Sequence, residues 1–187
     1  MDFYRVFDWD HVSKGSQPGG PLYVPREKQG AGRHDIPSLD GVFYVALSAI
    51  SAVAENIQGF RNQSIADSDF HIQNGTIQTL AHVTLPDSAT LIDLNDPAQL
   101  LQRQLKPAHI ATGDRATTRR LCMQLFEEGV DGFLWWSSLE ASWTNATLFQ
   151  TRVQKKLKLV EPLQPLTTHL PSVQQAASRL KIRREED

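Results

Sequence analysis

A run of nearly 30 residues, roughly Val12 to Asp40, constrains this 187-residue chain more than any other feature. It holds Gly15, Gly19, Gly20, Gly30 and Gly32, with Gly41 at its border, and prolines Pro18, Pro21, Pro25 and Pro37. Glycine weakens the interior of a helix or strand, and proline withdraws an amide donor from either. No regular element of ordinary length fits there, so the framework must come from the flanking sequence. Irregular segments of this length in a compact domain are commonly functional. This one carries Tyr23, Arg26, Arg33 and His34, and it reads as a binding loop.

The flanks read as short strands mixed with a few helices. Asp2 to Phe7 is an opening strand with Phe3, Arg5 and Phe7 on one face. An arginine in line with two phenylalanines requires a carboxylate, a phosphate or an escape to solvent. Gly41 to Leu47 is continuously apolar and β-prone, as in a strand covered on both faces. Ser48 then caps a helix over about Ala49–Gln58 that stops at Gly59 and carries a stripe of Ile50, Val53, Ala54 and Ile57. Within Phe70 to Val83, Asn74-Gly75 signals a two-residue hairpin. Thr90 to Leu94 is a further short strand, and Asp96-Pro97 opens a helix reaching about Gln104. Asp114 caps a stronger helix over about Ala116–Glu128, with Leu121, Cys122, Leu125 and Phe126 inward and Gly129 as its stop.

Asp131 to Ser137 and Thr144 to Gln150 form a closing strand pair, and Lys156 to Val160 adds a last strand. Glu161 to Pro171 reads as a proline-rich linker. Ser172 to Arg184 reads as a solvated or partner-facing terminal helix, opened by a Ser172–Gln175 capping box. The expected organisation is a catalytic domain over residues 1–160, then a linker and C-terminal helix over 161–187.

Composition narrows the function classes. Lys+Arg 19 against Asp+Glu 21 gives a net charge of −2, without the basic excess of a global nucleic-acid binder. A lone Cys122 excludes a disulfide framework, a CxxC redox pair and a Cys-rich zinc site, and fits a reducing, cytoplasmic setting. The opening residues lack the basic-then-apolar pattern of a signal peptide, and no stretch approaches the roughly 20 apolar residues of a spanning helix. Gly30-Ala31-Gly32 lacks the third glycine of a dinucleotide fingerprint and precedes a strand instead of following one. The six histidines are scattered without an HExxH, so no metal is expected. Trp135-Trp136 reads as a pair packing on two faces of a sheet, and no G-x-S-x-G elbow accompanies Ser137 or Ser138.

The order of several weak motifs is more specific than any one of them. Tyr4-Arg5 lies in the opening strand, and the glycine-rich loop ends in Gly32-Arg33. Then come Phe43-Tyr44-Val45-Ala46 and Ala52-Val53-Ala54-Glu55. Asp131-Gly132-Phe133 later leads to Ser137, and Leu148-Phe149 follows. This pattern, over roughly Asp2 to Gln150, resembles the RES domain family, named for its Arg, Glu and Ser. The resemblance implies an α+β fold similar to ADP-ribosyltransferases, with a split or mixed sheet, flanking helices and a C-terminal helical extension. It also implies NAD as substrate instead of cofactor, an Xre-like antitoxin as partner, and dimerisation.

By the same resemblance, Arg5, Arg33, Tyr44, Glu55 and Ser137 form the active-site set, with Ser138 the alternative for the serine. Cleaving the nicotinamide–ribose bond of NAD expels an already cationic leaving group, so the difficulty is the oxocarbenium-like charge on the ribose. Glu55 would stabilise that charge. Arg5 and Arg33 would grip the diphosphate, Tyr44 would stack on nicotinamide, and Ser137 would donate to the carboxamide or to Glu55. The expected function is NAD cleavage by water or phosphate, as the toxin of a toxin–antitoxin pair. The alternatives are an ADP-ribosyltransferase acting on a macromolecule, and a non-catalytic interaction protein of the same fold.

Overall fold

The computed structural model describes residues 1–72 and 75–185. The strands are β1 (Asp2–Trp9), β2 (Val42–Ala46), β3 (Ser64–Ile65), β4 (Ile77–Thr84), β5 (Leu91–Asp93), β6 (Gly132–Trp136), β7 (Thr144–Phe149), β8 (Lys158–Pro165) and β9 (Arg183–Arg184). The α-helices are α1 (Ala49–Ile57), α2 (Pro97–Gln102), α3 (Arg115–Glu127), α4 (Gln150–Val153) and α5 (Pro171–Leu180). No helix among the described residues is long and apolar enough to cross a membrane. The chain divides into two compact units.

The first unit comprises Met1, Val24–Val45 and Leu85–Leu157. Its strands run in the order β5-β6-β7-β2. β5 pairs parallel with β6, and β6 antiparallel with β7, so the sheet is mixed. The register sets Gly132 opposite Leu148, where any Cβ would collide with the Thr147 carbonyl, so only glycine lets the two backbones pair there. Leu94, Ile110, Leu125, Phe133, Trp135 and Phe149 share the core of this unit. Each large apolar side chain fully withdrawn from water there contributes about 1.5–3 kcal/mol. α3 forms as read: Asp114 Oδ1 accepts the Ala116 amide at 2.9 Å, Leu121, Cys122 and Leu125 turn inward, and Gly129 stops the helix at φ +84°.

The second unit comprises Asp2–Tyr23, Ala46–Thr84 and the chain from Lys158 on. β1 pairs antiparallel with β4 along its whole length, from Asp2 opposite Thr84 to Trp9 opposite Ile77, and Tyr4 also faces Ala46. β8 lies antiparallel on the other side of β4. Ser48 Oγ caps α1 by accepting the Ser51 amide at 3.1 Å. Ser51, Ala52, Val53, Ala54 and Ile57 are buried where α1 packs on β1 and α5.

Several expectations change. α1 does not end on a left-handed Gly59. It tightens into a 3-10 turn over Gln58–Phe60, and the positive φ of +63° falls on Asn62. The expected linker from Glu161 is strand as far as Pro165. β8 has a neighbour on one side only, where Pro162 and Pro165 are tolerated because an edge strand need not donate every amide. The terminal helix is not a solvated appendage: Val173, Ala176, Ala177 and Leu180 are buried in its packing with α1. Its N-cap is Leu170 with Pro171 in the first turn, so the Ser172–Gln175 box does not form, and Lys181 closes it at φ +58°. Asn74 lies outside the described residues. Beside it, Gly75 takes φ +83°, and His71 bridges antiparallel to Ile77.

Candidate active site

Arg33, Tyr44 and Ser137 belong to the first unit, and Arg5 and Glu55 to the second. In the first unit the glycine-rich loop folds around a carboxylate. Asp35 Oδ2 accepts the amides of Gly30 at 2.7 Å and Gly32 at 2.6 Å, and Oδ1 accepts the Tyr44 hydroxyl at 2.7 Å. The same Tyr44 oxygen accepts the His34 amide at 2.8 Å. Burial first, then the bond to Asp35, pushes the Tyr44 hydroxyl well above its ordinary pKa, so it stays protonated and donating. Gly32 is required by close approach. A Cβ there would stand 2.5 Å from Asp35 Oδ1 and 2.7 Å from the Tyr44 oxygen.

Arg33 sits at the centre of this folded loop. Its carbonyl accepts the hydroxyl of the buried Thr118 on α3. Its Nη1 donates to the carbonyls of Thr112 and, at 3.4 Å, Ile110. Nη2 lies 3.5 Å from Ser138 Oγ, and the guanidinium carbon stands 5.5 Å from the centre of the Trp135 ring. Contact of this kind with an aromatic face orients a guanidinium while leaving it fully charged.

Trp135 is itself anchored. Its Nε1 donates to Thr147 Oγ1 at 3.1 Å, and that oxygen is 2.8 Å from His34 Nδ1. Thr147 Oγ1 and His34 Nδ1 share one hydrogen bond whose direction follows the imidazole tautomer, and His34 Nε2 is a buried atom without a hydrogen-bond partner among the described residues. Phe133 and Trp135 meet the imidazole edge-on. Burial first, then the charges of Arg33 and Arg115, holds the His34 pKa well below the ordinary histidine value, so the ring is neutral.

The two serines at the end of β6 differ sharply. Ser137 is buried, its amide donating to the Trp143 carbonyl at 2.8 Å and its Oγ accepting the Leu139 amide at 3.0 Å. Ser138 is exposed, and its Oγ lies 3.5 Å from Arg33 Nη2. Cys122 is buried on α3, and burial raises its thiol far above the ordinary value, which removes it as a nucleophile.

In the second unit Arg5 satisfies its position in a way the sequence reading did not foresee. Its Nη1 donates to the carbonyls of Pro21 at 3.1 Å and Tyr23 at 3.2 Å, and its guanidinium carbon is 5.8 Å from the Phe7 ring centre. The strand arginine thus ties down the first half of the irregular loop. Burial lowers its pKa to about 10, partly offset by Asp8, and it remains a cation at neutral pH. Glu55 is half-buried on α1, beside the fully buried Ala54. Gln58 Nε2 donates to its carbonyl at 2.8 Å and approaches Oε2 at 3.3 Å.

Asp35, Thr118 and Thr147 escaped the sequence reading. Asp35 had a signal: an acid just after two glycines is a common acceptor for turn amides. The two threonines had none, because their partners lie 85 and 113 residues away.

The RES domain family model matches residues 3–171, a span that contains all five residues and draws on both units. No curated protein sequence matches the chain. Among solved structures, it is similar to a chain of the M. tuberculosis MbcT–MbcA toxin–antitoxin complex, with a TM-score of 0.69 and 16% identity, covering 95% of this chain and 89% of that one. That likeness establishes a shared α+β architecture, and the family match over nine-tenths of the sequence settles the lineage: the chain belongs to the RES domain family.

Proposed function

We propose that this protein cleaves the nicotinamide–ribose bond of NAD, with water or phosphate as acceptor, and acts as the toxin of a toxin–antitoxin pair. The observation that carries the reading is the RES match over residues 3–171, which brackets Arg5, Arg33, Tyr44, Glu55 and Ser137. The pre-ordered Arg33 guanidinium, braced by Thr112, Ile110 and Trp135, supports it. Nicotinamide leaves as a neutral ring without an acid to protonate it, and positive charge develops on the ribose. Glu55, half-buried on α1, is the group assigned to that charge. Arg33 and Arg5 are assigned to the diphosphate, a dianion suited to forked donors. Tyr44 offers its ring to the nicotinamide, since its hydroxyl is engaged with Asp35 and His34. Ser137 is assigned to the carboxamide or to Glu55.

The partner proposed is an antitoxin of the Xre type that masks the site, and a homodimer is the proposed assembly. Incubation of purified protein with NAD, with and without phosphate, followed by product identification, tests the reaction. Free nicotinamide with ADP-ribose, or with its 1″-phosphate when phosphate is present, is expected. Label moving from NAD onto protein would establish the transferase instead, and intact NAD would leave only an interaction protein. Arg33→Ala should chiefly raise KM, because a diphosphate grip serves ground and transition states alike. A collapsed kcat at unchanged KM would remove that role.

A further inference from the structure

We infer that Asp35 is a positioning residue for Arg33, and that the Tyr44 hydroxyl is the arm through which it acts and not a substrate contact. The inference deepens the function proposed above and rests on it. Three donors converge on the Asp35 carboxylate: the amides of Gly30 and Gly32, which precede Arg33 in the loop, and the hydroxyl of Tyr44 on β2. Tyr44 in turn receives the amide of His34, the residue that follows Arg33. The backbone is therefore held on both sides of Arg33, and its own carbonyl is held by Thr118.

This carboxylate is only 5% exposed, and three converging donors leave it little capacity for a ligand. Charge-assisted bonds to backbone amides are short and directional, which suits them to fixing a loop rather than contacting a mobile substrate. The Tyr44 oxygen uses its proton on Asp35 and a lone pair on the His34 amide, so its place is structural even where the ring face meets substrate. Entropy lost in ordering the loop before binding does not have to be lost on binding, so loosening the clasp should appear in KM more than in kcat.

The test compares Asp35→Ala, Asp35→Asn, Tyr44→Phe and the Asp35→Ala/Tyr44→Phe double variant. NAD kinetics are read beside NMR relaxation of the Arg33 Nε–H and exchange of the Gly30 and Gly32 amides. Asp35→Ala should raise KM about tenfold or more with kcat within about threefold. Tyr44→Phe, which keeps the ring, should raise KM less, and the double variant should be no worse than Asp35→Ala alone. Asp35→Asn keeps one carbonyl acceptor for the two glycine amides but sets an NH2 donor against the Tyr44 hydroxyl, so it should fall between. Arg33 should become mobile and both glycine amides should exchange faster in Asp35→Ala. An Asp35→Ala protein that folds with unchanged KM and a rigid Arg33 overturns the inference, as do multiplicative effects in the double variant. Should Asp35→Ala not fold, Asp35→Asn and Tyr44→Phe decide by the same readouts. Wild-type protein inert toward NAD would remove the functional reading alone, and Arg33 relaxation would then judge the clasp.

Discussion

Replacing Gly32 with alanine places one methyl group where the loop has no room. The new Cβ would stand 2.5 Å from Asp35 Oδ1, 2.7 Å from the Tyr44 oxygen and 2.8 Å from Asp35 Cγ. Neither neighbour is a flexible chain end: Asp35 is held by three donors and Tyr44 by two partners. The carboxylate must move, and the bonds it loses first are those to the Gly32 amide and the Tyr44 hydroxyl. A hydrogen bond to a charged group contributes about 1.5–3 kcal/mol net, and a stranded buried partner costs about 1–3 kcal/mol. Losing one or two of the three gives about 1.5–6 kcal/mol. For a domain of this size that is roughly a 3–24 °C fall in Tm. Urea and thermal unfolding of Gly32→Ala beside Gly59→Ala provide the assay. A Cβ at Gly59 meets nothing within 4 Å and its φ is ordinary, so that control should stay within about 0.5 kcal/mol of wild type. Equal stability of the two variants would refute the close-approach argument and with it the picture of a carboxylate-centred loop.

Other perturbations probe the same machinery. Glu55→Gln should lower kcat about 10²-fold or more at nearly unchanged Tm, because the side chain is half-exposed; nicotinamide release at the wild-type rate would show that the assigned glutamate is wrong. Thr147→Val keeps the shape but strands Trp135 Nε1 and His34 Nδ1 in the core, at about 2–5 kcal/mol by urea unfolding, and Thr147→Ser should recover most of it. His34 makes stability fall on acidification. Its folded pKa lies below the unfolded value of about 6.5, so between those two values the unfolded chain binds the extra proton and stability rises with pH. Urea midpoints from pH 5 to 7.5 should rise toward about 6.5 and then lose this slope, and His34→Gln should flatten the acid limb; an unchanged limb in that variant would show that another group carries it.

The framework was legible where local chemistry decides it. Ser48 and Asp114 cap their helices because a side-chain oxygen beside an orphan amide needs nothing distant; Val53, Ala54 and Ile57 of α1 and Leu121, Cys122 and Leu125 of α3 turn inward as expected, while Ile50 and Phe126 are only partly buried. The errors fall where tertiary pairing overrides local signals. Pro162 and Pro165 argue against a strand until β4 offers an edge, and the charges of Lys181, Arg183 and Arg184 hide that Val173, Ala176 and Leu180 pack against α1. Gly59 fits a left-handed stop locally, yet the chain tightens through it and reverses at Asn62.

At the site, residue types were legible while their partners were not. An arginine between Phe3 and Phe7 required something to bond, but the answer came from the Pro21 and Tyr23 carbonyls, which a list of side chains cannot suggest. Arg33 was singled out as a cation for a ligand, and the fold first uses it as a donor to Thr112 and Ile110. Both arginines follow one logic. A guanidinium has five donors in a fixed fork, so a few of them given to backbone carbonyls orient the group and leave the charge unchanged. A lysine at either position would keep the charge but lose the fork, so Arg33→Lys should behave far more like Arg33→Ala than like wild type in KM. Wild-type KM in Arg33→Lys would mean that charge alone suffices, and the bracing by Thr112, Ile110 and Trp135 would then serve stability and not binding.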